Sequence, residues 1–306
     1  MSDHLAAEVR DAPELRAWAV DQMLGRGGMG SVYRATHRVS GEKRAIKIME
    51  LVGHADDEAD RLVRREIDHC LALHHPCVIE SFEGGGAGQG HYFLVMELCE
   101  GGSVDRLVAA GGPVRVPYAL ALTLDLLDGL DYAHHFEVPQ GSRGAESVAV
   151  GLVHRDVKPA NVMVAAAGRR AKVADFGLAK AFETAGLSGL TRTGMAGGTP
   201  AFMPRQQVLD YKYATPEVDV WAAAATLYYL LTAEPPRDFK RGADPWRVVW
   251  DTDPVPVQGR RGEVPAHLAS VVDAALDDRQ GLRFDTARGL AEALRNACAK
   301  DGVASL

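Results

Sequence analysis

The sequence predicts an α+β protein in two parts, a small antiparallel β-sheet followed by a larger, mainly helical region. Short runs of alternating or β-branched residues fill most of the first hundred positions, and glycine-rich turns separate them, as is typical of hairpin-connected strands. From Val104 onward, apolar residues instead recur at the three- and four-residue spacing of amphipathic helices. The length of 306 residues is sufficient for two such parts.

The composition excludes several classes of protein. With 47% hydrophobic and 25% charged residues the chain resembles an ordinary soluble globular protein, and its net charge of −7 gives no nucleic-acid-binding signature. Its four cysteines form no CxxC pair, so neither a zinc site nor a redox dithiol is predicted, and reduced thiols in the cytoplasm are expected. Residues 1–10 carry acids and no apolar h-region, so no secretory signal is expected there. The uncharged apolar run Val220–Ala233 is too short to span a membrane and predicts a buried helix.

A glycine cluster follows the first predicted strand, which begins at Trp18. Residues 25–33 fit the pattern GxGxxGxV, whose first six positions also occur in dinucleotide-binding folds. Those folds require a helix after the last glycine, whereas Ser31–Thr36 alternates and is β-branched, which predicts the second arm of a hairpin. A glycine-rich hairpin allows backbone amides to approach phosphates without interference from Cβ atoms.

Four further elements complete the predicted N-terminal part. Lys47 lies within a short apolar strand, and Glu66 lies in the middle of an amphipathic helix predicted over 56–73. Strands are predicted at Val78–Phe82 and His91–Leu98, joined by a glycine-rich turn over 84–90. Taken alone, a lysine on such a strand would usually be solvated, and a solvent-facing side chain is the alternative for Glu66.

The octet His154–Asn161 concentrates charged and polar residues between two short apolar runs. Such a composition predicts a rigid loop that presents reactive side chains, although a polar surface loop is the alternative. Asp175-Phe176-Gly177 follows a short strand at Ala171–Val173. The separation of 19 positions between Asp156 and Asp175 suits a β-hairpin that brings both carboxylates to one cleft.

Six features resemble the protein kinase family, especially its bacterial, eukaryotic-like serine/threonine members, because they occur in the family's order. They are the glycine hairpin, the embedded Lys47, the helical Glu66, a hinge at Glu97-Leu98-Cys99, the charged octet and the Asp-Phe-Gly triplet. The resemblance covers roughly residues 18–298. It implies a two-lobed protein kinase fold, with a small antiparallel β-sheet N-lobe containing helix C and a larger mainly helical C-lobe. The implied boundaries are a lead at 1–17, an N-lobe at 18–98, a C-lobe at 99–298 and a tail at 299–306.

The resemblance also implies catalytic roles. Asp156 would be the base that accepts the proton of the attacking hydroxyl, and Lys158, typical of serine/threonine kinases, would contact the γ-phosphate. Lys47 would contact the α- and β-phosphates and be held by Glu66. The metal ligands would be Asn161 and Asp175. The nucleotide would be bound by Gly25, Arg26, Gly27, Gly28, Met29, Gly30, Val32, Ala45, Lys47, Met96, Glu97, Cys99, Met163 and Asp175.

The activity that the resemblance implies is transfer of the γ-phosphoryl group of ATP to serine or threonine hydroxyls of protein substrates, with Mg²⁺, or alternatively Mn²⁺, as the ion. An activation segment over 175–206 offers Thr191 or Thr193 as phosphorylation sites that Arg155 would bind. The alternatives are a pseudokinase-type nucleotide-binding scaffold and, less favoured, a small-molecule phosphotransferase. The sequence does not determine the oligomeric state.

The sequence departs from the family pattern at two places. Pro204-Arg205-Gln206 replaces the usual Ala-Pro-Glu, whose glutamate pairs with a buried arginine that we place at Arg283. A polar stretch at about 137–150 is interpreted as a surface insertion. Asp219, at the start of the predicted buried helix, is expected to brace the backbone of the catalytic loop.

Overall fold

The computed structural model describes residues 13–27, 30–50, 57–88, 90–137, 151–165, 170–176, 200–209 and 215–303. Gly28, Met29, most of the expected insertion and residues 177–199 of the expected activation segment lie outside the described residues. The described chain divides into two compact units. The first contains the residues up to His74 together with Ile79–Leu98, and the second contains His75–Val78 and the residues from Cys99 onward.

The first unit is a five-stranded antiparallel sheet with one long helix. Its strands lie in the spatial order β1-β2-β3-β5-β4, and α1 connects β3 to β4 along the chain. A buried cluster packs on the sheet and includes Leu15 from a short 3-10 turn at Pro13–Leu15, with Ile46 and Phe93 from neighbouring strands. The elements are β1 Trp18–Gly27, β2 Gly30–His37, β3 Lys43–Glu50, α1 Asp57–Ala72, β4 Ser81–Gly88 and β5 His91–Met96.

One predicted turn in this unit is wrong. The glycine run expected to form a turn over 84–90 instead belongs largely to β4, which continues to Gly88. The reason is close packing against α1, since a Cβ atom on Gly84 would lie 2.7 Å from Cγ2 of Ile67. Val78, predicted to begin this strand, instead belongs to the second unit, where it forms an isolated parallel bridge with Val173 of the same unit. The glycines therefore let the helix approach the sheet.

The second unit is mainly helical. A two-stranded antiparallel sheet pairs β6 with β7, and short 3-10 turns lie at Pro159–Asn161 and Pro200–Phe202. The helices and strands are α2 Val104–Gly111, α3 Val116–His134, β6 Val162–Val164, β7 Ala171–Val173, α4 Arg205–Leu209, α5 Pro216–Thr232, α6 Pro245–Asp251, α7 Val257–Arg260, α8 Ala266–Leu276 and α9 Ala287–Asp301.

Helix α5 forms the centre of the second unit, and the prediction of a buried helix in this region is confirmed. Nearly all of its residues are buried, because it is apolar on every face and packs against α3, α8 and α9. Pro216 occupies its first turn, where the missing amide hydrogen breaks no helical bond, and Ala233 ends it in the left-handed region at φ 60°. Within the described ranges, no helix has the length and apolar character needed to cross a bilayer.

Candidate active site

Two side chains of the predicted catalytic loop, Lys158 and Asn161, meet at the carboxylate of Asp156. The Nζ atom of Lys158 lies 2.8 and 3.0 Å from its two oxygens. Asn161 donates from its amide nitrogen both to the Asp156 backbone carbonyl, at 2.8 Å, and to the carboxylate, at 3.1 Å. Asp156 is buried, so these contacts fix both its rotamer and its charge balance.

A buried carboxylate on α5 holds the backbone of this loop. Asp219 accepts hydrogen bonds from the amides of His154 and Arg155, both at 2.7 Å, and from Nε2 of His134 at 2.8 Å. Burial alone raises the pKa of Asp219, but the bond from His134 and the charges and amides around it outweigh burial, so the pKa lies below its usual value. Arg155 adopts φ 67°, a strained conformation that this clamp stabilises.

His154 connects the catalytic loop to the segment that carries Asp175. Its Nδ1 accepts a hydrogen bond from the amide of Asp156 at 3.2 Å, and its Nε2 donates to the carbonyl of Ala174 at 2.7 Å. The ring also packs against Phe176, with ring centroids 4.7 Å apart. The predicted proximity of the two short strands is confirmed, because β6 pairs with β7 and the amide of Ala174 donates to the carbonyl of Asn161 at 2.9 Å.

The two expected metal ligands therefore lie on neighbouring segments. Asn161 uses its amide nitrogen to bind Asp156, which turns its amide oxygen away from that carboxylate. Asp175 is partly exposed and adopts φ 66°, directly before the buried Phe176. An amide oxygen and a carboxylate are the oxygen donors that Mg²⁺ prefers, so these residues fit such an ion.

The glycine hairpin of the first unit is formed as predicted. Gly27 pairs with Gly30 and Gly25 with Val32 across β1 and β2, while Arg26 is exposed opposite Ser31. Gly30 has φ 143°, and a Cβ atom there would lie 1.9 Å from the carbonyl oxygen of Ile48, so glycine is required. The described part of the hairpin presents backbone rather than side chains at its tip.

Lys47 is buried in β3, opposite Val32 on one side and Leu94 on the other. Glu66 is buried in α1, where its carboxylate contacts Nδ1 of His69 at 3.4 Å and the guanidinium of Arg65 at 3.2 Å. Burial raises the pKa of Glu66, but the contacts with His69 and Arg65 together lower it by a larger amount, so the net shift of this pKa is downward. The expected pairing of Glu66 with Lys47 stays a prediction.

The remaining nucleotide-binding candidates lie within strands or just after them. Ala45 of β3 pairs directly with the buried Met96, the last residue of β5, and the amide of Glu97 donates to the carbonyl of Glu80 at 2.9 Å. In the second unit Cys99 is buried, and Met163 lies in β6, bridged to Ser103.

The structure corrects the expected environment of Gln206. Arg283 is exposed and is not the buried arginine that was predicted to pair with this position. Gln206 instead donates its amide to the carbonyl of Asp278 at 2.8 Å. The buried ion pairs nearby have the opposite arrangement, because the carboxylate of Asp278 binds the guanidinium groups of both Arg205 and Arg237. The family pattern has a glutamate in this segment, which binds an arginine elsewhere. Here the segment carries the arginine, Arg205, and the acid, Asp278, lies elsewhere.

A separate polar cluster links the His75–Val78 segment to α3. Nε2 of His75 and the thiol of Cys77 each lie 3.7 Å from Asp128, an arrangement with the residue types of a cation site. However, Nδ1 of His75 accepts the amide hydrogen of Cys77 at 3.2 Å, so the ring proton lies on Nε2 and faces Asp128. Burial, with Asp125 and Asp128 nearby, raises the pKa of Cys77 to about 12, and its thiol is a hydrogen-bond donor here.

Comparisons with known proteins agree with this arrangement. A family model described as the protein kinase domain matches residues 18–253. Among curated relatives, serine/threonine-protein kinase PknB of Mycolicibacterium smegmatis is 29% identical over 276 residues, and PknB of Mycobacterium tuberculosis is 30% identical over 277. PknL of Mycobacterium bovis is 32% identical over 219 residues, which are 72% of this chain and 50% of PknL.

The two PknB matches cover 88% of this chain but only 41% of each relative, so the chain spans about two fifths of their length. A solved structure of a double mutant of the Mycobacterium tuberculosis PknI kinase domain matches with a TM-score of 0.67 and 26% identity. That match covers 92% of this chain and 95% of the PknI domain. The predicted two-lobed α+β fold is therefore confirmed, and the chain belongs to the protein kinase domain family.

Proposed function

We propose that this chain is a protein serine/threonine kinase that transfers the γ-phosphoryl group of MgATP to protein hydroxyls. The observation that carries the proposal is the buried carboxylate of Asp156, held between the ammonium of Lys158 and the amide of Asn161. A carboxylate with a fixed rotamer can align a serine or threonine hydroxyl and take its proton as the phosphoryl group moves.

The two residues around Asp156 have different tasks in this mechanism. Lys158 carries a positive charge 2.8 Å from the base, where it can also offset negative charge on the transferring phosphoryl group. Asn161 orients the base through its amide nitrogen and directs its oxygen elsewhere. We assign Asn161 and Asp175 as the residues that would hold Mg²⁺, which would supply neutralisation of phosphate charge.

We assign nucleotide binding to the first unit and to the residues that follow it. The backbone amides of the glycine hairpin and the buried Lys47 would fix the phosphates, and Ala45, Met96 and the chain around Glu97 would bind the base. Serine and threonine specificity rests on Lys158, because tyrosine kinases usually lack a lysine at this position. Protein substrates are proposed because Gly198-Thr199-Pro200-Ala201-Phe202-Met203 resembles the substrate-docking loop of protein kinases. Pro200–Met203 is the part of this loop that the structure describes.

We further propose regulation through phosphorylation of the segment between Gly177 and Thr199. That segment lies outside the described residues, and its hydroxyl residues include Thr191 and Thr193. Arg155, the residue before the base, is fixed through its backbone by Asp219 at 2.7 Å. A phosphate bound by an arginine so close to Asp156 would couple loop order to the geometry of the base.

The proposed function is tested by transfer of labelled γ-phosphate from ATP, with Mg²⁺, to the chain itself and to a linker histone. Asp156→Asn keeps the shape of the base and removes its charge, and Asp251→Asn, which changes an exposed side chain at the end of helix α6, is the matched control. We expect wild-type and control to produce phosphoserine or phosphothreonine and Asp156→Asn to lose at least 100-fold in rate. Threonine-to-alanine changes at 191 and 193, followed by mapping of the phosphosites, test the regulatory part.

The scaffold alternative gives a different result in the same experiment. A wild-type chain that binds ATP with normal affinity but transfers no phosphate would refute the kinase proposal and support a nucleotide-binding scaffold. Equal transfer by wild-type and Asp156→Asn would instead show that Asp156 is not the base. Binding of ATP is measured separately by titration calorimetry, so that loss of binding and loss of transfer are distinguished.

A further inference from the structure

A buried network of one acid and two arginines lies beside the helix α4 in the second unit. Asp278 binds Arg237 with both carboxylate oxygens, at 2.7 and 2.8 Å, and binds the guanidinium of Arg205 as well. Asp278 and Arg237 are almost completely buried, and Arg205 is 7% exposed. Buried charges of this kind require full pairing, and removing one partner leaves the others uncompensated.

The network holds the backbone as well as the side chains. The amide of Arg205 donates to Asp278 at 2.9 Å. Its guanidinium donates to the carbonyl of Trp250, within the last turn of α6, and to that of Thr252, just after the helix. Arg237 donates to the carbonyls of Thr252, at 3.0 Å, and Met203, at 3.5 Å. The planar fork of arginine, with five donors, is suited to binding several acceptors at fixed angles.

This network is connected to the catalytic loop through α4. Two residues after Arg205, Gln207 donates its side-chain amide to the carbonyl of Arg155 at 2.6 Å. Arg155 directly precedes Asp156. On the other side of Arg205, the loop Pro200–Met203 ends in the buried Met203, and its Phe202 packs edge-on against Tyr229 with centroids 5.8 Å apart. Helix α4 therefore lies between the proposed substrate loop and the base.

We infer that Arg205, through its network with Asp278 and Arg237, is a positioning residue that sets the Pro200–Met203 loop relative to the catalytic base. Pro204-Arg205-Gln206 is then a working replacement of the Ala-Pro-Glu pattern, because an acid from another segment supplies the buried charge. This inference rests on the proposed kinase function, since the loop is assigned to protein-substrate docking. It concerns binding of the protein substrate and not of ATP.

The test compares Arg205→Met, which keeps the aliphatic stem and removes the guanidinium, with Arg279→Met as the matched control. Arg279 is exposed and binds Asp253, at 2.6 Å, which is also a partner of Arg205, but it makes no bond to the Asp278 carboxylate in the described residues. Arg205→Lys is the conservative variant, because it keeps the charge but not the fork. Each variant is measured with labelled ATP and linker histone.

We expect Arg205→Met to raise the KM for histone at least tenfold while the KM for ATP and the slow hydrolysis of ATP by water change less than twofold. Arg205→Lys should recover part of the loss, and Arg279→Met should resemble wild type. A merely structural role would lower all these activities in parallel or leave the ratio of the two KM values unchanged, and either result would overturn the inference.

A second measurement does not depend on activity. Amide hydrogen exchange of residues 200–209, followed by mass spectrometry, should become at least tenfold faster in Arg205→Met and remain unchanged in Arg279→Met. If wild type transfers no phosphate, the proposed function fails while this readout still tests the network. Unchanged exchange in a folded Arg205→Met chain would show that the network does not hold the loop. If Arg205→Met does not fold, the same comparison is made with Arg205→Lys, and unchanged exchange there would likewise overturn the inference.

Discussion

The substitution Asp219→Asn removes the clamp on the catalytic loop with almost no change in size. In the native structure the two carboxylate oxygens accept three hydrogen bonds, from the amides of His154 and Arg155 and from the ring of His134. Asparagine has one acceptor oxygen, so in either orientation its NH₂ group faces at least one donor. The substitution also removes the negative charge that faces the buried ring of His134.

The magnitude follows from these contacts. Hydrogen bonds to a charged group contribute about 1.5–3 kcal/mol each, and breaking a buried pair costs about 3–5 kcal/mol. Because asparagine can retain some of the three hydrogen bonds, we expect the free energy of unfolding to fall by about 3–5 kcal/mol. Relaxation of the strained φ of Arg155 would also displace Asp156, and a displacement of about 1 Å lowers turnover about 100-fold.

The assay is urea unfolding followed by tryptophan fluorescence, since Trp221 lies on the same helix as Asp219. With a denaturant slope of about 3 kcal/mol per molar urea, the midpoint should fall by about 1–2 M. Asp251→Asn is the control, because Asp251 is exposed and its ion pair with Arg247 is 3.8 Å long. A variant whose midpoint lies within about 0.3 M of wild type, with unchanged turnover, would refute the reasoning.

Three further predictions follow from the same structure. Gly30→Ala should weaken ATP binding at least tenfold by calorimetry, because its Cβ would overlap a carbonyl of β3. The Cβ of the control Gly27→Ala would meet nothing within 4 Å, so this variant should fold with a stability within about 0.5 kcal/mol of wild type. Equal ATP affinities of Gly30→Ala and wild type would contradict the prediction. Gln206→Glu, which recreates the family glutamate, should destabilise the fold by about 1–3 kcal/mol in urea, because a carboxylate would replace the donor to the carbonyl of Asp278; a gain in stability would contradict this. The lowered pKa of Asp219 means that its contribution is present above about pH 4 and is lost as the pH falls through the folded-state pKa, so the stability difference between wild type and Asp219→Asn should shrink below about pH 4; a constant difference from pH 7 to pH 3 would contradict this.

Much of the fold was predictable because its signals are local. The alternating residues after Gly30 predicted a strand rather than a helix, and the uncharged run after Asp219 predicted a buried helix; both are confirmed. The charged octet around Asp156 was likewise predicted as a rigid loop between short strands: β6 follows it as predicted, whereas Leu152 and Val153 before it form no strand. These signals involve residues close together in the chain, so periodicity and turn chemistry are sufficient to detect them.

The glycines of β4 show where local signals fail. A run of glycines has the composition of a turn, yet Gly84 lies within a strand because Ile67 of α1 packs where its side chain would be. His134 gave no sequence signal either, since its partner Asp219 is 85 positions away. Such roles depend on which helix packs on which strand, and periodicity carries no information about that.

The sequence by itself determined the order of elements, the family and the candidates for base and metal ligands, because each is a short motif with its own chemistry. Tertiary structure alone decided how those residues are held. Asp219 clamps a loop about 65 residues before it, and Asp278 reaches an arginine 73 residues earlier. The physical reason is that a buried charge is stable only where the fold supplies its partners, and those partners come from distant parts of the chain.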